Sequence, residues 1–279
     1  MSAEVYYFSG TGNSLIVARD IAAKIGGDLI PIASVIDRDV IQPSGEVIGI
    51  VFPVYYGGLP PVVKQFAAKL ADIGNRYIFA ICTYGGGTGD SLKTLGRIIR
   101  SRGGKLAAQY GVHMPQNAFR KPWENRPRIF EKWQQKREKI DSRLARRKEG
   151  MFFSDRLARI LLTPVYLAVK PMIKQGLRKF SDSSPELTTD ELINLADKSF
   201  TVNERCNGCG ICARVCPVGN IAIQESKPVW LNGCQNCLTC LNWCPNRAIQ
   251  GRIAQHDYYY RHPEVKLMDM KMQEERTKG

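Results

Sequence analysis

The chain has 279 residues, enough for two domains that each bury a core of their own. At 44% hydrophobic and 24% charged, its composition excludes wholesale disorder and a membrane bundle. The formal net charge of +14 is unevenly placed: residues 120–179 hold eighteen Lys/Arg against six Asp/Glu, a net of +12.

The opening MSAEVYYF has no basic region ahead of its apolar run, so the expectation is a cytoplasmic chain without a secretory signal. Residues 5–8 read as a short strand, and Leu15, Ile16, Val17, Ile21 and Ile25 give the next helix its buried face. Gly26-Gly27 ends that helix. Strands are expected at 29–33, 47–52, 77–82 and 106–112, with helices at about 60–70 and 91–100 between them. Such β–α alternation implies an α/β fold, a doubly wound parallel five-stranded sheet with right-handed crossovers.

Residues 120–180 break the rhythm. Ile129, Trp133, Ile140 and Leu144 recur on one helical face among basic residues, and Leu157, Ile160 and Leu161 continue in a second helix before Pro164. The longest apolar runs, such as 161–169, are about half a bilayer span, so no transmembrane helix is expected. The division read from these patterns is a sheet domain at 1–118 and a basic helical connector at 119–185, ending in the linker Ser181-Asp182-Ser183-Ser184-Pro185. A small α+β domain follows at 186–251, then a polar tail at 252–279 with the aromatic knot Tyr258-Tyr259-Tyr260-Arg261-His262-Pro263.

Eight of the nine cysteines fall in the small domain. Cys206-x₂-Cys209-x₂-Cys212-x₃-Cys216-Pro217 recurs 28 residues later as Cys234-x₂-Cys237-x₂-Cys240-x₃-Cys244-Pro245. Without an export signal, such spacing points to metal rather than disulfides. Zinc sites pair two CxxC arms across a longer loop, not three cysteines in seven residues twice over. This is the bacterial two-cluster pattern, in which three close thiolates wrap one cubane and the fourth reaches across to the other. Cys206, Cys209, Cys212 and Cys244 are therefore expected to hold one [4Fe–4S] cluster, and Cys234, Cys237, Cys240 and Cys216 a second. The ligand run resembles clostridial-type ferredoxins. Cys82, after the fourth strand, reads as a buried small hydrophobe.

The loop Ser9-Gly10-Thr11-Gly12-Asn13-Ser14 between the first strand and helix suits an anion at a helix N-terminus, yet carries no lysine. It lacks the GxxxxGK[ST] of a P-loop, and Leu15 stands where the last glycine of GxGxxG belongs. A single terminal monophosphate remains. In a doubly wound sheet the ligand lies past the carboxyl ends of strands one and three. There the third strand is followed by Pro53-Val54-Tyr55-Tyr56-Gly57 and the fourth by Thr83-Tyr84-Gly85-Gly86, aromatics for stacking beside bare backbone. The expected ligand is FMN.

Ser9, Thr11, Gly12 and Ser14 match the Ser/Thr-x-Thr-Gly-x-Ser/Thr phosphate loop, and the N-terminal part resembles flavodoxins. The whole chain looks like the EFR-type flavodoxin–ferredoxin fusion family of anaerobes. That resemblance implies a flavodoxin-like fold, FMN contacts from Ser9, Thr11, Gly12, Asn13 and Ser14, and flanking of the isoalloxazine by the two aromatic loops.

The function these features imply is relay of low-potential electrons between two [4Fe–4S] clusters and FMN, to or from a partner oxidoreductase. His113, His256 and His262 are scattered and form no acid–base machinery with sequence neighbours. The alternative is an FMN-dependent reductase acting on a small organic substrate beside Tyr55, Tyr56 and Tyr84. The basic segment, with Trp123, Phe130 and Trp133, offers only non-specific attraction to nucleic acid. An acidic face on a redox partner, or peripheral contact with anionic lipid, accounts for the same charge.

Overall fold

The computed structural model describes residues 2–119, 121, 124–181, 186–253 and 257–275. Trp123, His256 and linker positions 182–185 lie outside the described residues.

The chain divides into two compact units, one of residues 1–9, 13–115 and 123–166, the other of residues 10–12, 116–122 and 167–279. In the first, β1 (Ala3–Tyr7), β2 (Asp28–Pro31), β3 (Val47–Pro53), β4 (Tyr77–Tyr84) and β5 (Leu106–His113) form one parallel sheet in the order 2-1-3-4-5. This is the flavodoxin-like, doubly wound order. The interior of β3 and of β4 is buried throughout, as expected of strands covered on both faces. At Gly49 a Cβ would stand 2.5 Å from the Phe79 ring, so the aromatic crosses from β4 over bare β3 backbone.

Right-handed crossovers place α1 (Asn13–Ile25) on one side of the sheet and the packed pair α2 (Pro61–Lys69) and α3 (Ser91–Ser101) on the other. The second strand ends at Pro31, earlier than the expected 33, because Ile32–Ser34 turn into a short 3-10 helix after Pro31.

The basic segment is two helices. In α4 (Arg126–Ala145), capped by Asn125 accepting from the Arg128 N–H, the expected face is buried: Ile129, Trp133, Ile140 and Leu144. The helix packs on α1 and β5 and belongs to the first unit. Trp133 Nε1 donates to Asp20 Oδ2 at 3.0 Å, and Arg137 pairs with the same carboxylate at 3.1 Å. By contrast α5 (Phe153–Ser181) runs through Pro164 rather than stopping before it, and Leu157, Ile160 and Leu161 are exposed rather than buried.

The second unit is built from short pieces: α6 (Thr189–Asn194) with a full Thr188–Glu191 capping box, β6 (Thr201–Val202), α7 (Ile211–Arg214), the hairpin β7 (Ile221–Gln224) and β8 (Lys227–Trp230), α8 (Thr239–Trp243), β9 (Ile249–Gln250) and α9 (Leu267–Glu275). Antiparallel pairs join β6 to β9 and β7 to β8. The hairpin turns at Glu225 and Ser226, both at positive φ as a two-residue turn requires. The aromatic knot is packed: Tyr258, Tyr260 and His262 are buried, and the Tyr260 N–H donates to Asn242 Oδ1 at 2.7 Å.

Asp20→Ala leaves the buried indole N–H of Trp133 without its acceptor and should loosen α4 by about 1–3 kcal/mol. Hydrogen exchange should show faster amides within residues 129–144 and unchanged protection in β3 and β4. Unchanged α4 protection would contradict this account of its docking.

Candidate functional site

In the second unit, the repeat seen in the cysteines is also a repeat of the backbone. Positive φ at Gly208, Gly210 and Gly219 recurs 28 residues on at Asn236, Leu238 and Arg247. These left-handed residues bend the chain between and after the cysteines. Gly210 and Leu238 stand in this conformation as the N-caps of α7 and α8.

Cys206, Cys209, Cys212 and Cys244 line one hollow together with Ile211, Ile223, Pro228 and Ile249. Three thiols come from the first motif and the fourth from the second. Burial pushes the Cys212 thiol up to about 11, with the Cys244 and Cys209 sulfurs close enough to add to the rise. Burial likewise drives Cys240 well above the ordinary thiol range, and Cys237 and Cys216 reinforce it. Cys234 is raised well above that range by burial first and then by Cys237 and Cys240. Cys244 of the second motif thus shares the hollow of the first.

Backbone donors point at the sulfurs. The N–H groups of Asn220, Asn236 and Ala248 reach the Sγ atoms of Cys216, Cys234 and Cys244 at 3.3, 3.1 and 3.4 Å. Such donors favour a charged sulfur and tune what it binds. Behind them lies a buried brace. Asn220 Nδ2 donates to Asp197 Oδ2 at 2.7 Å, the Asn232 N–H reaches the same oxygen at 3.0 Å, and the Gly233 N–H donates to Asn220 Oδ1. Thr239 Oγ1 lies 3.0 Å from Cys237 Sγ and also donates to the Gly10 carbonyl of this unit at 2.9 Å. None of these polar residues was legible as a participant, because a search on cysteine spacing passes over the residues between and after the thiols.

In the first unit, adjacent strands β1, β3 and β4 deliver the three expected loops to one end of the sheet. Ser9 and Ser14 are buried, and Asn13 and Ser14 open α1. The Ser14 and Thr83 hydroxyls pair at 2.8 Å, Asn13 Nδ2 donates to the Pro115 carbonyl at 3.0 Å, and the Val54 N–H donates to the Thr83 carbonyl at 2.8 Å. Pro53 ends β3, and Tyr55-Tyr56-Gly57-Gly58 closes as a tight turn, the Gly58 N–H donating to the Tyr55 carbonyl at 2.8 Å. Tyr56 and Gly57 are both at positive φ, as a type I′ turn demands, so the non-glycine Tyr56 is held in an uncommon conformation. The Tyr55 ring meets Phe8 edge-on at 6.4 Å between centroids, and Tyr84 lies beside His113 at 5.8 Å. Gly85 and Gly86 follow Tyr84 as a bend.

Thr11 and Gly12 group with the second unit. There the Thr11 carbonyl accepts from the His262 N–H at 2.9 Å, and a Cβ on Gly12 would stand 2.8 Å from Val265. Sequence reasoning missed Tyr166 of α5, whose ring lies against Gly57 and whose hydroxyl reaches toward the Tyr56 carbonyl at 3.5 Å. Its signal was a lone aromatic in the apolar run of α5.

Residues 201–222 match the family of 4Fe-4S binding domains. No curated protein matches the chain. Among solved structures, a putative flavoprotein from Bacteroides uniformis aligns at 16% identity over 48% of this chain and 97% of its own, with a TM-score of 0.34. The flavodoxin of Megasphaera elsdenii, solved in its two-electron reduced state, aligns at 23% over 42% and 90%, TM-score 0.32. The flavodoxin of Streptococcus pneumoniae aligns at 16% over 51% and 99%, TM-score 0.33.

Burial raises the Tyr84 phenol from 10.0 to about 12, with the Cys82 and Asp155 charges adding to it. A raised folded-state pKa makes its contribution whole below pH about 10 and lost as pH climbs toward about 12. Tyr84→Phe should therefore flatten the alkaline fall in stability over that window, measured by denaturant midpoints at several pH values. An identical alkaline fall in the variant would contradict the burial of this phenol.

Proposed function

We propose that the chain is an electron-transfer iron–sulfur flavoprotein carrying two [4Fe–4S] clusters and one FMN, serving a partner oxidoreductase. The observation that carries the reading is the placement of a second-motif cysteine with the first motif: Cys244 shares a hollow with Cys206, Cys209 and Cys212. The donor set fits cubane iron, being all thiol, mostly buried and supplied with N–H···S bonds.

In this reading Cys206, Cys209, Cys212 and Cys244 hold one cluster and Cys234, Cys237, Cys240 and Cys216 the other. Bound clusters supply one-electron steps and bound flavin one- or two-electron steps. The chain's own part is to position and to insulate. The Asp197–Asn220 brace fixes the loops that carry Cys216 and Cys234, and Thr239 sets the polarity beside Cys237.

The phosphate of FMN is proposed to sit at Ser9, Thr11, Gly12, Asn13 and Ser14, with the ring system flanked by residues 53–57 and 83–86. Hydroxyls and backbone N–H groups at the start of α1 suit a monophosphate without a lysine. Tyr55, Tyr56 and Tyr84 supply flat faces and exclude water. The partner is proposed to be a protein with an acidic docking face and the setting to be the cytoplasm. Among the described residues no helix is long and apolar enough to cross a membrane.

Cys244→Ser should disturb the spectrum of one cluster and leave the other, although it lies in the second motif. Equal damage to both, or to neither, would contradict the placement of Cys244 with the first motif. To separate carrier from reductase, the dithionite-reduced protein should exchange electrons with an added low-potential ferredoxin and turn over no small organic substrate. Sustained turnover of such a substrate with dithionite as the only other component would overturn the carrier reading.

A further inference from the structure

The proposed relay assigns no role to any single residue of the basic segment, and α5 shows what it offers. This helix of 29 residues is about 43 Å long at 1.5 Å per residue. Phe153, Leu157, Ile160, Leu161, Val165 and Met172 are all exposed, Phe153 to 80% and Met172 to 71%. At 3.6 residues per turn these six fall within an arc of about 140°, and Leu162, Leu167 and Val169, exposed as well, widen it to about 220°. Tyr166 leaves the helix beyond the edge of that arc, toward Gly57. A soluble chain seldom leaves so long an apolar face to water without a use for it.

The charges on the same helix decide what covers it. Between residues 153 and 181 there are six Lys/Arg and one acidic residue, Asp155. That carboxylate is held by Lys136 of α4 at 2.7 Å. The helix therefore presents apolar side chains with cations beside them, Arg156 and Lys170 among them exposed, and no outward anion. A second copy of α5 would bring cation against cation. An apolar layer edged with negative charge complements the face along its whole length.

We propose that α5 is an interfacial helix that lies in the plane of an anionic lipid surface, its apolar arc among the upper acyl carbons and its cations at the headgroups. Helices with this division of residues bind in that manner, and long cationic side chains reach outward while their stems stay apolar. Pro164 and Pro171 fall on the apolar arc, and each forfeits the helical bond to the carbonyl four residues earlier, at Ile160 and Leu167. Those carbonyls need water, which a headgroup layer supplies and the hydrocarbon centre does not. Docking is therefore peripheral.

The test is flotation of the full-length protein, prepared anaerobically with its bound groups, on phosphatidylcholine vesicles with and without phosphatidylglycerol. Partition should be at least about tenfold stronger onto the anionic vesicles and should weaken as salt rises. The double substitution Ile160→Asp/Leu161→Asp should lower it at least about tenfold. Arg156→Glu should lower it less and shrink its salt dependence. Because these side chains face outward, the circular dichroism and visible absorbance of both variants should match the parent. Equal partition onto both kinds of vesicle, or none, overturns the proposal. So does a concentration-dependent dimer dissolved by Ile160→Asp/Leu161→Asp, which assigns the face to a second copy. Saturable binding of an acidic protein that competes for the face while vesicles fail to bind overturns it in favour of a protein partner.

Discussion

Sulfur buried without a counter-charge is the constraint on which the second unit depends. Cys234, Cys237 and Cys240 are all buried, and burial drives their thiols up. As thiolates with no cation beside them among the described residues, they would carry a desolvation cost of several kcal/mol each. As thiols, Cys206, Cys209, Cys212 and Cys244 leave a hollow between them that the short strands and one-turn helices around it do not fill. Bound iron removes both difficulties together, which is why metal loading and folding are coupled in small units of this kind. Cys244 of the second motif, lining the hollow of the first, ties the two motifs together.

The first unit rests on a different constraint, the parallel sheet buried on both faces. Strand order 2-1-3-4-5 sends the loops after β1, β3 and β4 out at one end, whatever those loops contain. What they contain is chemistry suited to a flat, phosphorylated ligand: paired hydroxyls at Ser14 and Thr83, and a strained tyrosine turn at Tyr56-Gly57. Tyr166 ties this turn to α5, the helix with the exposed apolar arc. One helix thus bears on the tyrosine turn and on the solvent-facing surface of the molecule.

Much of this was legible in the chain. The near-continuous apolar runs at β3 and β4 and the glycine after α1 gave the sheet, because parallel strands and helix ends have strong local signatures. The 28-residue recurrence of CxxCxxCxxxCP was readable because ligand spacing is local. The role of α4 was half legible: its buried face followed from period alone, but its anchor, Asp20, is more than a hundred residues away. For α5 the periodicity misled. Apolar residues at Leu157, Ile160 and Leu161 imply a covered face in an average helix, and here they face solvent. Proline also misled, since Pro164 is tolerated on an exposed arc where its missing donor costs least. The Asp197–Asn220 brace and Thr239 gave no local sign, because buried polar networks are assembled by tertiary contact.

Iron, inorganic sulfide and flavin counts on anaerobically isolated full-length protein test the central claim most directly. The account predicts about eight irons and about eight sulfides per chain, with one FMN that stays bound through gel filtration. Zinc in place of iron, about four irons, or a flavin-free chain would contradict it.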